Sequence, residues 1–150
     1  MKNNTLKYIL ILGFLFFLIA CSVKKDRFVN RNFHAVTTEY NVLFNGYEAL
    51  DAGVVDLVAT YKDNFWEILP VERMPDVEEN LLPGEAKNPN FKRAEDKAVK
   101  AIQKHSMNIA GNEKNPQMDE AYLLLGKARY YDNRFIPALE ALNYILYKYP

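Results

Sequence analysis

Two small residues twelve positions apart, Gly126 and Ala138, limit what the C-terminal part of this 150-residue chain can become. Each sits in an amphipathic run of helical spacing, Gln117 to Asp132 and Phe135 to Tyr149, with Asn133 and Arg134 between them. Two helices joined by so short a turn must cross closely, and a small residue is needed where their backbones approach. Tyr122, Leu125, Leu142 and Ile145 then fill the space above and below that contact, and Pro150 stops the second helix. The spacing predicts an antiparallel helical pair.

The same order of residues matches a tetratricopeptide repeat, whose unit is about 34 residues long. With the unit started at Met118-Asp119, the aromatic, Leu and small positions of the first helix are Tyr122, Leu125 and Gly126. The small, bulky and closing positions of the second half are Ala138, Leu142 and Pro150. Two positions depart from the pattern: Arg129 stands where Tyr is usual, and Ile145 where Ala is. First-helix positions not used for packing, Glu120, Leu123, Lys127 and Tyr130, form a candidate partner-binding face, since an aromatic beside a long cation is a common hot-spot composition.

Residues 34–116 are expected to form an irregular N-terminal unit of the same kind. Val36, Tyr40, Leu43, Phe44, Tyr47 and Leu50 fall on one helical face, with an N-cap near Thr37 or Thr38. Gly53 is expected to separate that helix from a second one over Val54 to Phe65. Phe91 to His105 is a clear amphipathic helix, with Phe91, Ala94, Ala98, Ala101, Ile102 and His105 facing inward, and Asn108 to Pro116 is a turn. Between them, Pro70, Pro75, Pro83 and Pro89 forbid a continuous helix over 69–90. The apolar Ile68, Leu69, Val71, Met74, Leu81 and Leu82 suggest an ordered loop packed on the helices. The expectation is an all-α fold, the start of an α-solenoid. Pro150 falls where a further first helix would begin, so more repeats are expected beyond it.

The opening residues carry a different message. Lys2 and Lys7 precede the apolar run Tyr8 to Ile19, which is shorter than the roughly 20 residues that cross a bilayer. The run closes with Leu18-Ile19-Ala20-Cys21. A small residue before the chain's sole cysteine is the lipobox pattern: the thiol takes a diacylglyceryl group, and the small residue fits the signal peptidase. Residues 1–20 are thus expected to be a cleaved lipoprotein signal peptide. Cys21 is the lipidation site and residues 21–33 a lipid-anchored tether. Multiple acyl chains on one cysteine make a lasting anchor. Covalent diacylglycerol and fatty acid on Cys21 is the only non-protein group expected; there is no other cofactor and no metal.

Without Lys2 and Lys7 the chain has 17 basic and 19 acidic residues, net −2, which does not suggest nucleic acid as a partner. His34 and His105 are the only histidines, and the second is expected as a core histidine. Asp76, Glu78 and Glu79 are expected as a solvated acidic loop. Tyr130, Tyr131, Tyr144, Tyr147 and Tyr149 are expected as packing and groove wall. No catalytic spacing is present, so neither an enzyme nor a small-molecule substrate is expected.

Taken together, YNVLFNGYEAL, DNFWEILPVER, NFKRAEDKAVKAIQKHSMNI, KNPQMDEAYLLLGKARYYDNRF and PALEALNYILYKYP resemble the SprE (PorW) family of Bacteroidetes. The resemblance covers essentially all of residues 21–150 and corresponds to that family's N-terminal portion. It implies a large tetratricopeptide lipoprotein needed for type IX protein secretion and, in gliding species, for motility. It also implies an outer-membrane anchor on the periplasmic face and other secretion and motility proteins as partners. Ser22 after the cysteine agrees with outer-membrane sorting. Two alternatives share the anchor: a barrel-assembly lipoprotein with such repeats, and a glycan-binding lipoprotein of the starch-utilisation type. The latter predicts exposed Trp platforms, whereas Trp66 lies in an apolar stretch.

Overall fold

The computed structural model describes residues 22–74 and 86–149, together with Lys7, Tyr8 and Gly13. Cys21, Pro150 and the acidic cluster Asp76, Glu78 and Glu79 lie outside the described residues. The fold is mostly helical. We label α1 Phe28–Thr37, α2 Phe44–Thr60, α3 Pro89–His105, α4 Met118–Tyr131 and α5 Phe135–Lys148. A π-helical segment, Thr38–Leu43, joins α1 to α2 without a break, since its flanking residues keep right-handed helical dihedrals.

That continuous rod corrects three sequence expectations. The tether is shorter than residues 21–33, because α1 begins at Phe28. Thr38 is not an N-cap; it is buried mid-helix, and its hydroxyl donates to the His34 carbonyl at 2.6 Å. Gly53 does not end a helix. A Cβ there would lie 2.5 Å from Cε1 of Phe91, so glycine is what lets α3 seat its first aromatic against α2.

The π segment also moves the buried stripe. Upstream it runs through Asn30, His34 and Thr38, and downstream through Leu43, Gly46, Leu50 and Gly53. One extra residue per turn rotates such a stripe by about 100°. Leu43 and Leu50 are therefore core as expected, while Val36, Tyr40 and Phe44 point to solvent, at 54, 64 and 60 % exposure.

Helix α3 starts on strong local signals. The Asn88 side chain accepts a hydrogen bond from the Asn90 N–H, and Pro89 occupies the first turn, where a missing N–H costs nothing. Its inward face is Phe91, Ala94, Ala98 and Ala101, all buried. On α4, Ala121, Leu124 and Ala128 meet that face, and the small side chains allow close packing of the two helices. Contacts at Gly46 with Lys97 and Gly53 with Phe91 make α2 and α3 antiparallel. Glu95 with Arg129, and Phe91 with Tyr131, do the same for α3 and α4. The turn between α3 and α4 is a short hairpin pairing Asn108–Ile109 with Asn112–Glu113, around positive φ at Ala110 and Gly111.

His34 and His105 lock α1 to the end of α3, with Nδ1 atoms 3.1 Å apart. One ring must donate and the other accept. His34 Nε2 is buried without a partner, a state easier to bear for a bare lone pair than for an N–H. That favours His34 Nδ1–H donating to His105. Burial lowers the pKa of both rings, and the charges of His34, Lys100 and Lys104 lower that of His105 further. Folded pKa values below the ordinary 6.5 mean that the unfolded chain takes up protons first. Stability should be full above that value and fall as pH drops from it through the lowered folded pKa values. Melting profiles across this window should flatten in a His34→Gln, His105→Gln variant; an unchanged slope would show that the pair does not titrate with folding.

Candidate functional site

The α4–α5 crossing is where the sequence placed its small residues. A Cβ on Gly126 would sit 2.7 Å from Cδ2 of Leu142 and 3.6 Å from the Ala138 carbonyl oxygen. Ala138 is buried, and Tyr122 stacks at a tilt on Tyr144 with ring centroids 4.3 Å apart. Burial first, and then Tyr144, pushes the Tyr122 pKa up to about 12. Leu125 is buried, whereas Leu142 and Ile145 are half-buried.

Glu120, Leu123, Lys127 and Tyr130 share one side of α4; Leu123 is half-buried and the others are exposed. Its first member, Glu120, lines a groove between the first rod and α4. Because α2 and α4 are each antiparallel to α3, they run in the same direction, and they meet side by side where Gly46 faces Leu124 and Tyr47 faces Glu120. The opposite wall is Tyr40, Phe44 and Tyr47, all three expected on the apolar face of the first helix; Tyr40 and Phe44 are exposed and Tyr47 is half-buried. A signal for it did exist, since Gly46, Ala49 and Gly53 mark a buried face by smallness rather than by bulk.

At its upper end the groove is a cleft of about 400 Å³, lined by Glu39, Tyr40, Leu43, Phe44, Tyr47, Gln117 and Glu120. The Tyr47 hydroxyl donates to Glu120 Oε2 at 2.8 Å. Burial and that carboxylate both raise its pKa, so it remains a neutral donor. At the lower end the segment after α2 returns, and Glu72, Arg73 and Met74 lie against Val54, Leu57, Val58 and Tyr131. Burial and the Glu72 carboxylate raise the pKa of Tyr130. The chain's own segment thus reaches the far end of the predicted face.

An ionic cluster that the sequence did not announce supports this wall from behind. Glu95 on α3 accepts from Arg129 Nε at 2.8 Å and from Arg134 Nη2 at 2.7 Å. Arg134 Nε donates to Asp132 at 2.9 Å, and Asp132 also accepts from the Lys87 and Asn88 N–H groups at 3.1 Å. Burial alone would raise the Glu95 pKa, but hydrogen bonds and charge from the two arginines hold it below the usual carboxylate range. Arg129 therefore has a task at the position where the repeat pattern usually has Tyr: it ties α4 to α3 and also donates to the Pro137 carbonyl.

The remaining sequence expectations divide. Phe91, Ala94, Ala98 and Ala101 are buried, and His105 is half-buried. Trp66 is 96 % exposed, with Ile68 and Val71 fully exposed, so this part of the loop does not pack on the helices as expected. Of the loop's described apolar residues, Met74 is half-buried. Among the described residues no group of three or more His, Cys, Asp or Glu could hold a metal ion, and no helix is long and apolar enough to cross a membrane. No protein-family model matches this chain, and no curated protein matches it.

Proposed function

We propose that this chain is a lipid-anchored envelope protein of tetratricopeptide build that acts by holding partner proteins, in type IX secretion and gliding. The observation that carries the binding role is the groove between α2 and α4. Two parallel helices, each followed by an antiparallel partner, present aromatic side chains and carboxylates along one open face. A repeat array exposes such a face because each first helix packs on the next first helix and on the second helix between them. Exposed Tyr40, Phe44 and Tyr130 supply rigid contact area, and Glu39, Glu120 and Lys127 supply charge that selects a partner. The lipid anchor rests on Ala20-Cys21, and the place in secretion rests on the resemblance of FWEILPVER and AEDKAVKAIQKHSMNI to the SprE family.

The anchor is tested by labelling cells with radioactive palmitate. The native chain should incorporate label, and Cys21→Ala should not; undiminished incorporation in that variant would remove the anchor. One observation favours the glycan-binding alternative: the exposure of Trp66, which meets the requirement for a stacking platform that its apolar neighbours had argued against.

A further inference from the structure

The face of α1 turned away from the core carries four apolar side chains that the described residues leave exposed. Phe28, Val29, Phe33 and Val36 are 73, 60, 40 and 54 % exposed, and they lie opposite the buried Asn30 and His34. Isolated exposed apolar residues need no explanation, but four on one side of one ten-residue helix do.

Charge is graded along the same rod. Lys24, Lys25 and Arg27 are exposed just before α1, and Arg31 follows on it. Asp26 is the acid among them, held by Arg31 at 3.5 Å and Lys114 at 3.7 Å. Beyond Phe44 the outward positions become acidic, at Glu48 and Asp51. An apolar face with cations at one end and acids at the other suits a surface that is apolar beneath and anionic at its rim. A phospholipid boundary has that composition, and a helix lying in it buries its apolar face about 5–10 Å deep.

Chain length points the same way. From Cys21 to Phe28 is seven residues, which span no more than about 25 Å even when fully extended. If Cys21 is acylated, α1 cannot be far from the bilayer. We propose that α1 lies on the phospholipid surface through Phe28, Val29, Phe33 and Val36, with Lys24, Lys25 and Arg27 at the headgroups, so that the groove is held at a fixed height and orientation above the membrane. This rests on the lipid-anchor reading.

The test uses the full chain purified from membranes and reconstituted into vesicles of phosphatidylethanolamine and phosphatidylglycerol with brominated acyl chains. Replacing the sole tryptophan (Trp66→Phe) leaves a background in which Phe28→Trp, Val36→Trp or Lys100→Trp reports one position; Lys100 is exposed on α3. Emission from positions 28 and 36 should be blue-shifted and quenched about threefold more strongly than from position 100. Palmitate on the same samples is read separately. Labelled protein with equal, weak quenching at all three positions would overturn the proposal while leaving the anchor standing, and would assign the face to a protein partner. Unlabelled protein would remove the anchor; the contrast between positions 28 and 100 would still decide whether α1 meets lipid.

Discussion

Asp132→Ala should be among the most destabilising single substitutions in this fold, at about 3–5 kcal/mol, because it breaks a buried ion pair from one side. Asp132 is 4 % exposed and Arg134 6 %, so neither is well solvated. Removing the carboxylate takes from the Arg134 guanidinium the partner that meets its Nε, while Glu95 still meets Nη2. It also strips the acceptor from the Lys87 and Asn88 N–H groups, which fix the chain as it enters α3. Asp132→Asn keeps an oxygen for those N–H groups and loses only the charge, so it should cost less, about 1–3 kcal/mol. Asp96→Ala, on an exposed α3 pair with Lys92, should stay within about 0.5 kcal/mol. Chemical unfolding of the three variants orders them; a cost below about 1 kcal/mol for Asp132→Ala would show that the cluster is not structural.

Ala138→Leu should cost about 1–3 kcal/mol by overpacking the α4–α5 crossing. The site has no slack. Ala138 is 2 % exposed, its carbonyl faces Gly126, and Leu142 already fills the space over that glycine. Extra methylenes must displace either Leu142 or the backbone of α4. Lys127→Ala, one residue beyond Gly126 but pointing to solvent, should change stability by no more than about 0.5 kcal/mol. Thermal unfolding compares the two directly. Equal shifts would mean that the small residues do not mark the closest approach.

These two sites show what could be read in the sequence. Gly126, Ala138 and Leu142 announce their contact because close helix crossings demand small residues at fixed spacing, and spacing is visible in one dimension. The α3 helix was equally plain in its apolar stripe, Phe91, Ala94, Ala98 and Ala101, although Pro89, counted among the helix-breaking prolines, lies in its first turn. The Glu95, Arg129, Asp132 and Arg134 cluster was not legible: its members come from three parts of the chain, and each looks like an ordinary surface charge. The first rod failed for another reason. Thr38–Leu43 carries no composition that marks a π turn, so a constant period carried the apolar face past its true rotation and put Tyr40 and Phe44 inside. Gly53 resembles a break because glycine ends helices often, yet here it clears space for Phe91.

The groove and the proposed anchor are compatible with more than one envelope machine, and the cargo that fails separates them. A type IX component should be dispensable for inserting ordinary outer-membrane barrels and necessary for substrates that cross that membrane. Deleting the gene and analysing culture medium and outer membrane of the same strain by mass spectrometry tests this directly. The account predicts viable cells, normal barrel levels, type IX substrates missing from the medium and retained in the envelope, and loss of gliding where the species glides. Full secretion with impaired growth on a polysaccharide would point to the glycan-binding alternative, and general depletion of barrels to assembly; either result would contradict the assignment.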